Sequence, residues 1–162
     1  MKFKFITLSL LIFTFSSNVF SEDFYIKGKR DTKITKKDNG TLEYYHDGNM
    51  FLKGKDLSSD GYSTLDSISG VDNGFILNLI GSNFGAYFSI YIERMNEDYF
   101  VTKVISDYSF NKDEDTSIKI TCKKNLNLKY KDITVDSLGV LLYSTDDKEF
   151  DKYCYSTEWK SD

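Results

Sequence analysis

The strongest constraint on the fold of this chain is a strict alternation of residue types in its middle. Apolar side chains recur at every second position in two runs, Phe75, Leu77 and Leu79, then Ala86, Phe88, Ile90 and Ile92. Because successive side chains of a β-strand point to opposite faces, each run indicates a strand with one buried face. Gly81-Ser82-Asn83 separates the two runs and favours a hairpin turn. The middle of the chain is therefore predicted to be antiparallel sheet.

Strand signals continue on both sides of this region. His46-Asp47-Gly48 separates the strand-like segments 42–45 and 49–53, and an Asp-Gly pair is a strong hairpin signal. Further strands are predicted at 99–110, 118–122, 126–130, 138–143 and 149–159. The chain has no proline, and a short helix between 55 and 70 is the only helical alternative. We expect an all-β fold, an antiparallel β-sandwich or small barrel of about nine or ten strands.

Residues 1–21 have the order of a secretory signal peptide. A basic start at Lys2 and Lys4 precedes an apolar run over 5–15, and Val19 and Ser21 occupy the positions that a signal peptidase reads. The apolar run has about half of the roughly 20 residues that a membrane-spanning helix needs. We therefore expect cleavage after Ser21 and no membrane anchor afterwards. The mature protein is predicted to be a single all-β domain over 22–162, exported to the periplasm or secreted.

The chain has two cysteines, Cys122 and Cys154. In an oxidising compartment an even number of cysteines usually forms disulfides, so these two are predicted to pair. Cys122 shares a strand face with Ile118 and Ile120, which predicts a bond that is partly in the core. The alternative is a pair of free thiols. A zinc site is weaker still, because zinc normally takes four ligands and only His46 could add a nitrogen.

The charge balance constrains the partners. The whole chain has a net charge of −4, and removal of Lys2 and Lys4 with the signal peptide changes it to −6. A domain of this sign repels phosphate backbones and anionic lipid, so nucleic acid is not an expected partner. An acidic surface suits a basic protein partner instead.

No familiar catalytic pattern is present in the sequence. A nucleophilic triad would have to use His46, which lies beside a turn and is expected to be a solvated turn residue. Glu43, Glu93 and Glu97 could in principle cleave a glycosidic bond as a pair, although two carboxylates would have to lie about 5–10 Å apart across a cleft. We therefore predict no catalytic residues, no cofactor and no enzyme activity.

Two acidic loops resemble calcium-binding loops only in part. Residues 56–61 place oxygen ligands and a glycine like the opening of an EF-hand loop, but Ser67 occupies the position that needs a bidentate glutamate. Residues 111–115 lack the glycine. Both loops are predicted to be solvated turns, and no metal site is expected.

Aromatic residues supply the remaining functional signal. Tyr87, Tyr91 and Glu93 lie on the strand face opposite the apolar set of 86–92, and tyrosine is favoured at protein interfaces. We predict that these residues bind a protein, with the acidic loop residues Asp113, Glu114 and Asp115 as the other candidate surface. The sequence thus favours a periplasmic inhibitor or immunity protein that neutralises a basic toxin or hydrolase. A glycan-binding or adhesin-like surface domain is the first alternative, and a small glycan hydrolase that uses two carboxylates is the second.

Overall fold

The computed structural model describes residues 21–26, 31–58, 63–82, 85–134 and 152–160. Within these ranges the chain forms ten strands. In chain order they are β1 (Ser21–Tyr25), β2 (Thr32–Lys37), β3 (Thr41–His46), β4 (Asn49–Lys55), β5 (Ser63–Val71), β6 (Gly74–Gly81), β7 (Tyr87–Met95), β8 (Asp98–Asn111), β9 (Thr116–Lys129) and β10 (Cys154–Lys160). A 3₁₀ turn, Tyr130–Asp132, follows β9.

The strands form two antiparallel sheets that pack as a sandwich. The first four strands make one sheet in the order β1-β2-β3-β4, and the other six make the second sheet in the order β10-β9-β8-β7-β6-β5. Within each sheet, strands that are consecutive in the chain lie next to each other, the arrangement that hairpin connections produce, although residues 130–153 separate β9 from β10. The predicted all-β fold with about nine or ten strands is confirmed, and it is sandwich-like.

The core lies between the facing sides of the two sheets, and sequence alternation decides which side chains enter it. From the six-stranded sheet, Leu77 and Ile90 are fully buried, whereas Tyr87 on the opposite face is exposed. From the four-stranded sheet, Ile34 and Leu42 are fully buried. Burying an aliphatic side chain of this size stabilises the fold by roughly 1.5–3 kcal/mol. The face predicted to be apolar is therefore the face that holds the sheets together.

An aromatic cluster fills one part of this interface. The rings of Tyr44 and Phe75 stack with centroids 4.5 Å apart, so each sheet contributes one ring. Tyr130 enters from the 3₁₀ turn, donates its hydroxyl to the Lys55 carbonyl and lies 3.0 Å from the Tyr44 hydroxyl. Its ring occupies space that only a glycine leaves open, because a Cβ on Gly54 would lie 2.1 Å from the ring carbon Cε1. The cluster thus joins the end of β9 to both sheets.

Two local expectations have clear outcomes. The 46–48 hairpin is confirmed, since Asp47 and Gly48 form the turn between β3 and β4 with φ values of 49° and 77°. A turn with two positive φ values matches the twist of the flanking strands, which explains the Asp-Gly pair. The alternative of a short helix between 55 and 70 is wrong over 63–70, because β5 covers those residues.

The disulfide between Cys122 and Cys154 is confirmed. The two cysteines are directly opposite each other in the β9–β10 ladder, with Cα atoms 4.0 Å apart. Cys122 is also opposite Ser106, a buried residue of β8, so the bond lies on the core-facing side of the sheet. Both cysteines are half-buried because β10 is the edge strand. The bond ties this edge strand to the rest of the sheet.

Other predictions fall outside the described residues. The predicted signal segment lies outside them except for Ser21, which begins β1. The predicted strand at 138–143 also lies outside the described residues. Of the predicted strand at 149–159, the structure describes residues from 152 onwards, and β10 accounts for them from Cys154. Within the described ranges, no helix is both long and apolar enough to cross a membrane.

Candidate functional site

Tyr87, Tyr91 and Glu93 share one surface, as the alternation predicts. They lie on the outer face of the six-stranded sheet, which we define as the face turned away from the four-stranded sheet. Tyr87 is 57% exposed. Tyr91 is half-buried, and the Nζ of Lys103 lies 3.7 Å from the centre of its ring. A cation over the ring face covers much of the surface that a partner would contact, so Tyr87 is the more accessible of the two tyrosines.

The outer face was expected to be acidic because it carries Glu93, but its charged residues do not make it acidic. On β7, β8 and β9 its charged residues are Glu93, Asp98, Asp107, Lys103, Lys119, Lys123 and Lys129. Several are paired with each other, including Lys119 with Asp107 at 3.2 Å and Lys129 with Asp98 at 2.8 Å. Lysines thus outnumber carboxylates on these three strands. The centre of this face has no excess of negative charge with which to attract a basic partner.

The acidic loop lies at a different place, on the end of a long hairpin. Asp107 is the last β8 residue that pairs with β7, whereas the pairing of β8 with β9 continues as far as Asn111 and Ser117. The turn beyond them carries Asp113, Glu114 and Asp115, all exposed. The hairpin therefore extends past the neighbouring strand β7 and presents three carboxylates at its end.

The structure brings an exposed tryptophan to the same place. Trp159 is 43% exposed and pairs with Ser117, two residues after Asp115. Phe110, on the other side of the hairpin, is 41% exposed. We call the loop residues 112–115 together with Phe110 and Trp159 the acidic tip. Sequence reasoning missed Trp159, because the pairing of β10 with β9 alone brings it beside the loop.

Local interactions hold the acidic tip in one conformation. The backbone N–H of Asp115 donates to the Asp113 carboxylate at 3.0 Å. Hydrogen bonds from the Thr116 side chain and the Asp115 backbone hold the pKa of Asp113 below its usual value, so this carboxylate stays ionised near neutral pH. The Nζ of Lys112 lies 3.1 Å from a Glu158 oxygen and so connects the loop to β10. The tip is thus largely preorganised for contact.

The six predicted binding residues divide between two ends of the sheet. Tyr87 lies opposite Asp107, near the base of the hairpin, and Tyr155 of β10 lies in the same row of the outer face and is 52% exposed. Glu93 lies opposite Phe100, towards the other end of β8. The structure therefore groups Tyr87 with the acidic tip and places Glu93 away from it.

The carboxylates considered for glycan cleavage lie on separate parts of the structure. Glu43 is on the four-stranded sheet, where it accepts a hydrogen bond from Tyr45 and pairs with Lys37 at 3.3 Å. Glu93 is on the outer face of the other sheet, and Glu97 is in the turn between β7 and β8. Glu97 lines a cleft at one end of the sandwich, but neither Glu43 nor Glu93 lines it, so no two of the three carboxylates share that cleft.

The calcium-like loop at 56–61 begins with a carboxylate that is already in use. Asp56 is buried, pairs with Lys36 at 2.8 Å and accepts a hydrogen bond from the Ser58 backbone. Among the residues that the structure describes, no three His, Cys, Asp or Glu side chains are grouped to hold a metal ion.

Comparison with known proteins adds no relative. The chain matches no protein-family model, no curated protein and no solved structure. The geometry of its surfaces is therefore the basis for any proposal about its activity.

Proposed function

We propose that this is an exported inhibitor or immunity protein that neutralises a basic toxin or hydrolase, and that the acidic tip is its docking surface. The observation that carries the proposal is the position of Trp159 beside the loop that contains Asp113, Glu114 and Asp115. Tryptophan is enriched among the residues that dominate binding energy at protein interfaces. An exposed tryptophan next to a set of carboxylates offers an anchor and a charge of defined sign.

The shape of the hairpin supports docking into a concave site. Beyond Asp107 the described β8 residues pair with β9 on one side and are not paired with β7 on the other. Phe110 on one face of this extension is exposed, and so is Trp159 of the adjacent strand β10 on the other face. Because β10 pairs with β9 as far as Thr116, this projection is three strands wide and carries the carboxylates at its end. A projection of this width suits contact with the mouth of a broad active-site cleft in another protein. The acidic end would face a rim of lysine or arginine side chains.

The rigidity of the tip supports tight binding. Ordering a flexible loop on association costs free energy that is subtracted from the affinity. Here the hydrogen bond from Asp115 to Asp113 and the exposed ion pair of Lys112 with Glu158 restrict the loop before a partner binds. The signal peptide predicted at residues 1–21 fits the same proposal, because a protein that neutralises an exported toxin or hydrolase has to reach the same compartment.

The test is retention of a partner by immobilised mature protein. Periplasmic and secreted fractions of the cells that export the protein are passed over wild type and variants, and bound proteins are identified by mass spectrometry. Wild-type protein should retain a basic partner. Two variants should fail to retain it: Trp159→Ala, and the triple variant that combines Asp113→Asn, Glu114→Gln and Asp115→Asn. Tyr25→Ala is the matched control, since Tyr25 is 68% exposed but lies on β1 in the other sheet.

Two outcomes would count against the proposal. Retention that is equal for wild type and both tip variants would show that the acidic tip does not bind. A retained partner with an acidic surface would contradict the role of the carboxylates. A purified partner should also lose its activity when wild-type protein is added, and it should keep that activity when the Trp159→Ala variant is added.

A further inference from the structure

We propose that a second site, a cleft at the end of the sandwich away from the acidic tip, binds a neutral saccharide. The cleft has a volume of about 400 Å³, within the range of about 300–1,000 Å³ that is typical of ligand sites. Tyr99 of the cleft lies at the start of β8, and Asp113 of the acidic tip follows the end of that strand, 14 residues later. At about 3.3 Å per residue the two sites are separated by roughly 40 Å, so this proposal is independent of the docking surface.

Aromatic rings form the floor of this end cleft. Phe51 of β4, Phe75 of β6 and Tyr99 of β8 line it. The ring of Tyr99 lies 6.1 Å from that of Phe51 and 6.0 Å from that of Phe75, measured between centroids. Phe51 is 43% exposed, so part of this aromatic surface is open to a ligand. The C–H faces of a sugar ring pack well against an aromatic floor of this kind.

Hydrogen-bonding groups form the rim, and they come from the turns at this end. Asp72 lies in the turn between β5 and β6, Arg94 precedes the turn between β7 and β8, and Glu97 lies in that turn. His46 at the end of β3 adds a ring whose Nδ1 lies 3.2 Å from the Thr32 hydroxyl. Within the described residues, Arg94, Asp72 and Glu97 are in no ion pair with one another or with other side chains. Donor and acceptor groups are therefore available for a ligand.

Hydrogen bonds to the backbone hold the turns of each sheet in place. The backbone N–H of Arg94 donates to the Asn73 carbonyl at 2.8 Å, and the Asn73 side chain donates to the Arg94 carbonyl at 2.6 Å. On the other sheet, the N–H of Asp47 donates to the Asp31 carbonyl at 3.1 Å. Within each sheet, the turns that carry rim residues are thus held by hydrogen bonds, which restricts the positions of their side chains.

The mixture of groups selects the ligand class. Arg94 only donates hydrogen bonds, whereas the carboxylates of Asp72 and Glu97 only accept them. A sugar hydroxyl donates and accepts at once, so adjacent hydroxyls of one ring can satisfy both kinds of group. Two carboxylates against one guanidinium make the rim unfavourable for phosphate and other anions. A neutral saccharide combines the hydroxyls that the rim needs with the apolar ring face that the floor needs.

Binding is tested with neutral trisaccharides built from glucose, galactose, mannose or N-acetylglucosamine, and with glucose 6-phosphate as an anionic probe. Saturation-transfer NMR on the exported protein should show transfer to the ring protons of at least one trisaccharide and none to glucose 6-phosphate. Glu97→Gln and Arg94→Gln change exposed residues and should leave the melting temperature unchanged. Each should weaken binding about tenfold, the effect of losing one good hydrogen-bonding contact. Phe51→Ala should abolish the transfer.

Tyr155→Ala is the control, because Tyr155 is an exposed aromatic residue on β10, outside the cleft. It should bind as wild type does. Absence of transfer to every neutral trisaccharide at millimolar concentration would overturn the proposal, and so would stronger binding of glucose 6-phosphate. Unchanged binding in Glu97→Gln and Arg94→Gln would place any saccharide site elsewhere. None of these results affects whether the Trp159→Ala variant retains a protein partner. The saccharide site and the docking surface can therefore be refuted independently of each other.

Discussion

Trp159 pairs with Ser117 in the β9–β10 ladder, and this register places an exposed indole beside the acidic loop. The disulfide lies in the same ladder, because Cys154 is opposite Cys122. The covalent bond is therefore at the start of β10, and the tryptophan is near its end. A change in the disulfide should reach the acidic tip through this one strand.

The first prediction concerns that bond. Cys122→Ala should lower the free energy of unfolding by about 2–4 kcal/mol, since the bond closes a loop between cysteines 32 residues apart. Urea denaturation followed by circular dichroism measures the loss, and the same variant should show faster amide exchange along β10. Two reactive thiols in unfolded, unreduced wild-type protein would contradict the pairing.

The second prediction concerns alkaline pH. Burial raises the pKa of Tyr44 and of Tyr130 in the folded protein, whereas both ionise near 10 in the unfolded chain. A raised folded-state pKa contributes stability that is fully present below pH 10 and is lost as the pH rises above it. Urea midpoints should therefore fall between pH 9.5 and about 11. Tyr130→Phe removes one of the two groups and should make that fall shallower.

The same variant has a second effect at neutral pH. Tyr130→Phe leaves the Lys55 carbonyl and the Tyr44 hydroxyl without one hydrogen-bonding partner, which should cost about 1–3 kcal/mol. Tyr25→Phe is the control, because it changes an exposed ring and should leave stability unaltered. Tyr108 is less suitable for this purpose, since it also packs on the core. Equal stability of Tyr130→Phe and wild type at pH 7 would mean that this buried network contributes nothing.

The fold could be predicted from the sequence because its signals are local. The alternation over 86–92 identified a half-buried strand, and the Asp47-Gly48 pair identified a hairpin, without knowledge of any distant residue. The functional surfaces are different, because their residues are far apart in the chain. The sequence around the acidic loop 113–115 does not indicate that Trp159 will lie beside that loop. Likewise, nothing near His46 indicates a shared cleft with Arg94, since such groupings depend on how the sheets pack.

The third prediction separates the two tyrosines of β7. Tyr87→Ala should weaken binding of a protein partner by about 1–3 kcal/mol with an unchanged melting temperature, because this ring is exposed and lies towards the acidic tip. Tyr91→Ala should leave affinity unchanged and lower stability by about 0.5–1 kcal/mol, since it removes the contact with Lys103. Calorimetry of binding and thermal melts of both variants measure these effects. The reverse pattern would place the binding surface at the centre of the outer face.

The fourth prediction concerns the start of the mature protein. Cleavage after Ser21 would leave Glu22 as the first residue, and Glu22 lies within β1 opposite Lys36. The new amino terminus should then be ordered at the edge of the four-stranded sheet, since strand pairing holds terminal residues that otherwise fray. Intact mass of the exported protein should correspond to a chain that begins at or within a few residues of Glu22. An exported species that retains residues 1–21 would contradict the predicted signal peptide.

The fifth prediction tests how the acidic tip attracts its partner. Asp113→Asn combined with Glu114→Gln and Asp115→Asn removes three exposed charges. Each replacement keeps a side-chain oxygen, so the backbone N–H of residue 115 retains its acceptor and stability should change by less than about 0.5 kcal/mol. Association with a basic partner should slow strongly at low salt, because complementary charges mainly accelerate encounter. Trp159→Ala should instead speed dissociation, since a buried anchor acts after contact is made.

Stopped-flow or surface-plasmon measurements at two ionic strengths distinguish these effects. The wild-type association rate should fall as salt rises, because the Debye length shortens from about 10 Å at 0.1 M to about 3 Å at 1 M. The rate of the triple variant should depend little on salt, and Trp159→Ala should keep the salt dependence of wild type. A triple variant that associates as fast as wild type at low salt would show that the carboxylates do not steer the partner. The binding surface would then have to be sought elsewhere on the sheet, beginning with the row that contains Tyr87 and Tyr155.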